Sequence, residues 1–210
     1  MKTNAILGYG ELGKQFLSFL NDNINSNFLL FDDFAKSNNT PNSYLFNDYK
    51  KSDFLNCDFY VALGYKQLEV KLSIISELKK QNKNMPSFVH PTGFINPTSS
   101  VSDGVFIYPM CNIDKNVEIK SGTLVNNSVT ISHDSIIGNC CYISPGVIIS
   151  GNVTIGDCTF IGSGAVISNN ITIGKNVQIG IGSVITSNIP DNTSVIGNPM
   201  KLVNKPLIIL

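Results

Sequence analysis

The sequence predicts two parts of different class, a small parallel α/β sheet over residues 1–86 and an all-β parallel solenoid over residues 87–210. The first part alternates short apolar runs with helical periodicity, as parallel α/β sheets do. The second part repeats every six residues, and such a repeat stacks successive turns of chain on one continuous core. A chain of 210 residues is long enough for two such cores.

Strand and helix signals alternate in the N-terminal part. The apolar runs "NAILGYG", "NFLLFDD" and "DFYVALGY" predict three strands. The segment "ELGKQFLSFLND" has apolar residues at the spacing of one helical face, and "KQLEVKLSIISELKKQN" predicts a second helix. The polar stretch "AKSNNTPNSYLFND" predicts a loop. This order of elements is that of half a Rossmann fold.

The turns that follow the three predicted strands carry candidate nucleotide ligands. They are Gly8, Gly10 and Gly13 after the first strand, Asp32 and Asp33 after the second, and Gly64 and Lys66 after the third. The GxGxxG spacing lets a phosphate reach a helix N-terminus, and an acid after the second strand can bind a ribose hydroxyl. Fewer than 90 residues make only half of a dinucleotide fold, so we do not expect NAD. A tight turn without a ligand is the alternative, because GxGxxG alone is a weak signal.

A strict six-residue register runs through the C-terminal part. Every sixth residue from Val101 to Ile185 is Ile or Val, and the residue two positions before each is small or β-branched. A spacing of two places both residues on the same face of a strand. Glycine and asparagine often follow, and these residues tolerate the positive φ of a tight corner.

Composition excludes several classes of function. Lysine and arginine together number 15, as do aspartate and glutamate, so no basic excess favours nucleic-acid binding. No apolar run has the length of a membrane span, and the N-terminus lacks the features of a signal peptide, so we expect a cytoplasmic protein with no membrane partner. Five cysteines without a CxxC pair, and two histidines, predict neither a disulfide framework nor a metal site.

Residues from about 90 to 200 resemble the hexapeptide-repeat acyltransferases. The resemblance implies a left-handed β-helix with 18 residues per coil, a homotrimer, and acetyl-CoA bound between neighbouring β-helices. With its α/β part, the chain looks like the sub-group that acetylates sialic acids or nucleotide-linked amino sugars for bacterial surface polysaccharides, such as lipopolysaccharide O-antigen. The ending "SVIGNPMKLV" resembles the Gly-x-Pro-Ala-Lys terminus of that family, with Met200 in place of alanine. This resemblance implies acetyl-CoA contacts at Pro199 and Lys201.

One of the two histidines lies inside the repeat, in "VTISHDSIIG". From the residues alone, His133 is either an ordinary surface histidine or a functional one. The resemblance implies that His133 is the catalytic base and that Asp134 raises its basicity. A base with a pKa near neutrality suits acetyl transfer to an amine.

Three further residues enter the site through the same resemblance. A coil of 18 residues stacks Gly151 over His133, where its N–H is a candidate donor to the oxyanion and the residue is a candidate acetyl-CoA contact. Asn126 resembles a position that contacts the reacting groups, with a solvated corner asparagine as the alternative. Tyr142 stands where relatives often have a second histidine facing the acetyl donor, and its phenol can still donate a hydrogen bond.

Together these features predict an acetyl-CoA-dependent N-acetyltransferase for a nucleotide-linked amino sugar, with a 4-amino-4,6-dideoxyhexose as the expected sugar. The nucleotide stays open between UDP, dTDP and GDP. One alternative is O-acetylation of a sialic acid, and another is a non-catalytic β-helix scaffold. A metal-dependent β-helix enzyme of the carbonic-anhydrase kind would need three histidines, which this chain lacks.

Overall fold

The computed structural model describes residues 3–23, 27–54, 56–203 and 207. The chain divides between Phe88 and Val89 into two compact units. The outermost residues of both predicted parts, 1–2, 204–206 and 208–210, lie outside the described residues.

The N-terminal unit is a parallel four-stranded sheet with helices. Its elements are β1 (Thr3–Leu7), α1 (Glu11–Asn23), β2 (Asn27–Phe31), α2 (Asp33–Ser37), β3 (Ser43–Tyr44), β4 (Asp58–Val61) and α3 (Leu68–Lys80), with 3₁₀ turns at Phe46–Lys50, Ser52–Phe54 and Tyr65–Gln67. The strands lie in the order β3-β2-β1-β4, and all pairs are parallel. The three strands and two helices that the sequence predicts are confirmed.

The stretch predicted as a loop over residues 35–48 is more ordered than expected. Helix α2 overlaps its start, and β3 lies within it and adds to the sheet edge beside β2. The Asp32 carboxylate accepts a hydrogen bond from the Ala35 N–H at 2.9 Å and so caps α2. A five-residue helix and a two-residue edge strand are too short to impose a period on the sequence, which explains why the prediction was wrong here.

The C-terminal unit is a parallel β-solenoid with three faces, built from two-residue strands except for the last two strands of face III. Face I contains Phe94–Ile95, Asn112–Ile113, Thr130–Ile131, Ile148–Ile149, Val166–Ile167 and Val184–Ile185. Face II contains Ser100–Val101, Glu118–Ile119, Ile136–Ile137, Thr154–Ile155 and Thr172–Ile173. Face III contains Phe88–Val89, Phe106–Ile107, Leu124–Val125, Tyr142–Ile143, Phe160–Ile161, Gln178–Ile179, Ser194–Ile196 and the antiparallel Lys201–Val203.

Strands one coil apart pair with an offset of 18 residues, as in the pair Ile131 and Ile149. In the two-residue strands from Ile107 to Ile185, the second residue points inward and is buried in one continuous core. The inward set is the one that the six-residue register predicts, and the coil length is the one that the family resemblance implies. The last coil is shorter, because Gln178 pairs with Ser194.

No helix in the described part of the chain combines the length and the apolarity needed to span a bilayer.

Candidate functional site

His133 lies at the corner between a face I strand and a face II strand, with its side chain 43% exposed. Its Nδ1 is 2.8 Å from Asp134 Oδ2. An ionised carboxylate only accepts hydrogen bonds, so Asp134 favours the tautomer with the proton on Nδ1. That tautomer leaves a lone pair on Nε2, which is what a general base needs.

Asp134 is held at both carboxylate oxygens. Its Oδ1 accepts a hydrogen bond from Asn116 Nδ2 at 2.9 Å, one coil earlier, while Oδ2 faces His133. The bond from Asn116, followed by the bond from His133, holds the pKa of the Asp134 carboxyl below its usual value. Asp134 is therefore ionised at neutral pH and keeps its polarising effect on the imidazole.

Gly151 lies one coil after His133, directly against the imidazole. A Cβ at this position would lie 2.6 Å from both Cε1 and Nε2 of His133, which is closer than atoms can pack. Only glycine leaves room for the ring in this position. The stacking that an 18-residue coil implies for these two residues is therefore present.

The N–H of Gly151 has a partner that the sequence analysis did not foresee. It donates a hydrogen bond to Asn169 Oδ1 at 3.0 Å, one coil further on. An oxyanion at this N–H would have to replace Asn169 as the acceptor. The 18-residue offset that paired His133 with Gly151 could have revealed Asn169 as well.

Asn126 and Tyr142 lie together, but at the other end of the face I strand. Asn126 is 8% exposed, at the corner between faces III and I, and its Nδ2 is 3.5 Å from the Tyr142 hydroxyl. Tyr142 stacks obliquely on Phe160, with ring centroids 5.8 Å apart. The strand Thr130–Ile131 runs between this corner and the corner of His133, so the two clusters lie at opposite ends of that strand. Within one chain, the predicted catalytic residues therefore form two groups.

The terminal motif forms the turn between the last two strands of face III. Gly197 has a φ of 88° and donates its N–H to Ser183 Oγ at 3.0 Å. Met200 packs against the solenoid core, which accommodates a side chain larger than the alanine of the family motif. Pro199 lies in this turn, and Lys201 is exposed at the start of the final strand.

The glycine loop of the N-terminal unit is shaped by close packing. Gly8 has a φ of 91°, which favours glycine, and a side chain on Gly13 would collide with the Gly8 carbonyl. Asp32 accepts a hydrogen bond from Tyr9 N at 2.8 Å through Oδ2, while its Oδ1 caps α2. Asp32 thus ties the glycine loop to the second strand, a role that the sequence analysis did not assign to it.

A pocket of about 330 Å³ opens beside this loop in the N-terminal unit. Its lining residues are Gly8, Asp32, Asp33, Phe34, Phe46, Leu63, Gln67 and Val70. Of the predicted nucleotide ligands, Gly8, Asp32 and Asp33 belong to this lining, whereas Gly10, Gly13, Gly64 and Lys66 do not. The sequence analysis did not include the apolar residues of this lining. Phe34 directly follows two aspartates in the sequence, which was a signal for it, and the residue is 79% exposed in the structure.

The cysteines do not supply a nucleophile. All five are free and buried, and Cys111 points into the solenoid, with Sγ 3.0 Å from the Asn126 carbonyl oxygen. Burial raises the pKa of the Cys111 and Cys141 thiols, which keeps them protonated. Across the described residues, no cluster of three or more His, Cys, Asp or Glu side chains could hold a metal ion.

Comparison with known proteins gives one family and several solved structures. Residues 134–169 match the family described as bacterial transferase hexapeptide (six repeats). No curated protein matches the sequence. The acetyltransferase domain of PglB from Neisseria gonorrhoeae is 26% identical, with a TM-score of 0.83 over 97% of this chain and 100% of that one.

Two further solved structures align over nearly the whole chain. WeeI from Acinetobacter baumannii is 23% identical, with a TM-score of 0.84 over 97% of this chain and 100% of that one. A variant of perosamine N-acetyltransferase from Caulobacter crescentus, solved with CoA and GDP-perosamine, is 19% identical, with a TM-score of 0.85 over 98% of each chain.

These alignments confirm the predicted fold class, an α/β unit followed by a left-handed β-helix. The matched repeat family, the 18-residue coils and the similarity to the PglB domain agree with one another. Residues 134–169 are therefore a hexapeptide repeat of the bacterial transferase kind, and the whole chain, with an α/β unit ahead of the repeat, has the fold of the PglB acetyltransferase domain.

Proposed function

We propose that the protein transfers the acetyl group of acetyl-CoA to the amine of a nucleotide-linked sugar, in the cytoplasm, for the synthesis of a bacterial surface polysaccharide such as lipopolysaccharide O-antigen. The observation that carries this proposal is the His133–Asp134 pair, with the imidazole packed against Gly151. Perosamine N-acetyltransferase, solved with CoA and GDP-perosamine, supports the substrate class, and the acetyltransferase domain of PglB, solved with acetyl-CoA, supports the acetyl donor. The expected sugar is a 4-amino-4,6-dideoxyhexose.

The reaction needs one base and one site for negative charge. The amine nitrogen attacks the thioester carbonyl carbon, and the carbonyl electron pair moves onto oxygen. His133 Nε2 takes the proton from the attacking nitrogen, and Asp134 stabilises the imidazolium that results. The intermediate then expels CoA as its thiolate by breaking the C–S bond, and the imidazolium returns the proton to that sulfur.

The Gly151 N–H is the proposed donor to the oxyanion. It is a fixed backbone group beside the imidazole, and fixed donors stabilise charge that develops during the reaction. In the free protein, Asn169 Oδ1 occupies this N–H and keeps it paired until an acyl donor arrives. Tyr142 and Asn126, Pro199 and Lys201 are proposed to contact acetyl-CoA or the reacting groups.

A homotrimer would resolve the separation of the two clusters. The outward residues on the last three strands of face I are apolar, namely Ile148, Val166 and Val184, and Ile148 is 45% exposed. Exposed apolar patches of this kind favour burial against another subunit. We propose that a neighbouring chain packs there, so that His133 of one subunit faces Asn126 and Tyr142 of the next with acetyl-CoA between them.

The pocket of the N-terminal unit is the proposed site for the nucleoside part of the substrate. None of its eight lining residues is basic, so its chemistry suits ribose hydroxyls and the N–H groups of a base better than phosphate. Asp33 accepts a hydrogen bond from Phe46 N at 2.8 Å through Oδ1, which leaves Oδ2 for a ligand. The ring of Phe34 offers a surface on which a base can stack.

The nucleotide proposal predicts a loss of affinity when Phe34 is replaced. UDP, dTDP and GDP are tested by thermal shift, because a ligand that binds the native state raises the apparent stability. For the nucleotide that binds, Phe34→Ala is expected to raise the Kd about 5- to 150-fold, the equivalent of losing roughly 1–3 kcal/mol of stacking. Leu45→Ala is the matched control, since Leu45 is 52% exposed in the same unit but does not line the pocket. Equal affinities in wild type and Phe34→Ala would refute the stacking role.

The reaction itself is tested with purified protein and acetyl-CoA. The acceptors are nucleotide-linked 4-amino-4,6-dideoxyhexoses with each of the three nucleotides, alongside free sialic acid. We expect release of CoA and an N-acetylated product with one nucleotide-linked amino sugar. A product on sialic acid alone would overturn the amino-sugar proposal and establish the O-acetylation alternative.

A further inference from the structure

A ladder of left-handed residues runs along the corner that carries His133. Its four members occupy the same place in successive coils and have φ values between 57° and 59°: Asn116, Asp134, Asn152 and Asn170. Asparagine and aspartate tolerate this conformation better than most residues. Asp134 is the one acid in this set of amides, and the amide one coil before it is bonded to it.

We infer that Asn116 is a positioning residue for His133, acting through the Asp134 carboxylate. The inference rests on the proposed function of His133 as the base. Asn116 Nδ2 donates to Asp134 Oδ1 at 2.9 Å, and Asp134 Oδ2 lies 2.8 Å from His133 Nδ1. The hydrogen-bonded series therefore runs from one coil to the next and ends on the imidazole.

Two partners on opposite oxygens fix the plane of the carboxylate. The Asp134 side chain is 41% exposed, so packing alone leaves it free to rotate. With only His133 as a partner, either oxygen can face the ring or turn to water. The Asn116 donor holds Asp134 Oδ1, so Asp134 Oδ2 stays directed at His133 Nδ1. Both bonds involve a charged acceptor, and such hydrogen bonds are stronger than neutral ones.

Asn116 is itself anchored from the preceding coil. Its backbone N–H donates to Thr98 Oγ1 at 2.9 Å, and the Thr98 hydroxyl bonds to Asn96 Oδ1 at 3.0 Å. The amide is thus held at its backbone while its side chain reaches toward Asp134. A solvated turn asparagine would need neither the backbone bond to Thr98 nor the side-chain bond to Asp134.

The charged surroundings of Asp134 agree with this role. The hydrogen bond from Asn116 is the largest cause of the lowered pKa of Asp134, ahead of His133, and Lys115 adds a smaller attraction. Without Asn116, the pKa of Asp134 should rise toward its ordinary value. The imidazole would then also lose part of its preference for the Nδ1–H tautomer, which is the only neutral form with a lone pair on Nε2.

The test replaces Asn116 by glycine, which keeps the left-handed turn and the backbone bond to Thr98 but removes the amide. The matched control is Asn176→Gly. Asn176 has a φ of 54° and donates through Nδ2 to Asn192 Oδ1 at 3.2 Å, so it makes the same kind of ladder bond at a different corner. Both variants are compared with wild type in protein labelled with ¹⁵N-histidine, whose two imidazoles give a simple spectrum.

The comparison has three readouts. In Asn116→Gly we expect His133 to shift from the Nδ1–H tautomer to a mixture, Asp134 to titrate at higher pH, and kcat to fall about tenfold, with little change in the KM for acetyl-CoA. Asn176→Gly should match wild type in all three. A wild-type tautomer and titration in Asn116→Gly, or equal changes in both variants, would overturn the inference.

A second variant covers the case in which the glycine variant does not fold. Asn116→Asp keeps the size and the turn but replaces the donor by an acceptor, and it should move the titration of Asp134 in the same direction. The spectroscopic readouts need no turnover. If wild-type protein acetylates none of the acceptors, the proposed function fails while the tautomer and titration still decide the role of Asn116.

Discussion

Replacing His133 by alanine is expected to lower kcat by about 10²–10⁴-fold, the range that a positioned general base contributes. The imidazole is the group that stands between Asp134 and Gly151. The five cysteines are buried, which disfavours a thiolate that could replace it as base or nucleophile. The measurement is the steady-state rate of CoA release with a nucleotide-linked amino sugar as acceptor.

The fold and assembly of this variant should not change, because the His133 side chain is half-exposed and lies outside the apolar core. Circular dichroism and sedimentation check both properties. His90→Ala is the control, since His90 is the other histidine and its Nδ1 lies 2.9 Å from the Thr92 hydroxyl rather than against a carboxylate. Full turnover by His133→Ala would sink the proposed mechanism and favour a scaffold or a different base.

Gly151→Ala is expected to lower kcat by about 100-fold although it adds a single methyl group. That methyl would lie 2.6 Å from two atoms of the His133 ring, so the imidazole has to swing away from its position. The swing breaks the 2.8 Å contact with Asp134 and displaces Nε2, and a displacement of about 1 Å in a catalytic group can cost a factor of 10². The kcat of this variant and the tautomer of its imidazole are the measurements.

A double-mutant cycle distinguishes this collision from damage to the coil. Without the imidazole, the methyl of alanine has space, so Gly151→Ala should have little further effect on thermal stability when His133→Ala is already present. If Gly151→Ala lowers stability equally in both backgrounds, the methyl disturbs the coil itself, and the explanation through the ring is wrong.

The solenoid was predictable because its information is periodic. An inward Ile or Val recurs every six residues, which predicts the buried set, while the 18-residue offset between paired strands is what the family resemblance implies. The α/β unit was predictable where its elements are long. The strand Ser43–Tyr44 was not, since two residues at a sheet edge carry no period of their own.

Part of the candidate site was also predictable from the repeat, and part was not. His133, Asp134 and Gly151 come together through the coil length, and the geometry agrees, while their catalytic roles stay predictions. The bond from the Gly151 N–H to Asn169 was not predicted, because a motif does not show where a backbone group finds its hydrogen-bond partner.

The pocket of the N-terminal unit was predicted only in part because its lining comes from separate segments of chain. The glycine motif marked Gly8, but Phe46 and Gln67 join it only through the fold. Asp32 looked like a ribose ligand in sequence, yet its two oxygens also cap a helix and hold the glycine loop.

The shared core of the stacked coils has a consequence for how this architecture varies. The proposed catalytic residues lie on adjacent coils of the solenoid, and the coils beyond them supply none of these residues. Adding or removing one of these outer coils would change the length of the solenoid by about 4.8 Å and leave the reacting groups in place. A change that is not a whole coil would break the 18-residue pairing of neighbouring strands, and the shorter offset between Gln178 and Ser194 occurs where the regular series ends. Insertions and deletions inside the regular series are therefore expected as whole coils.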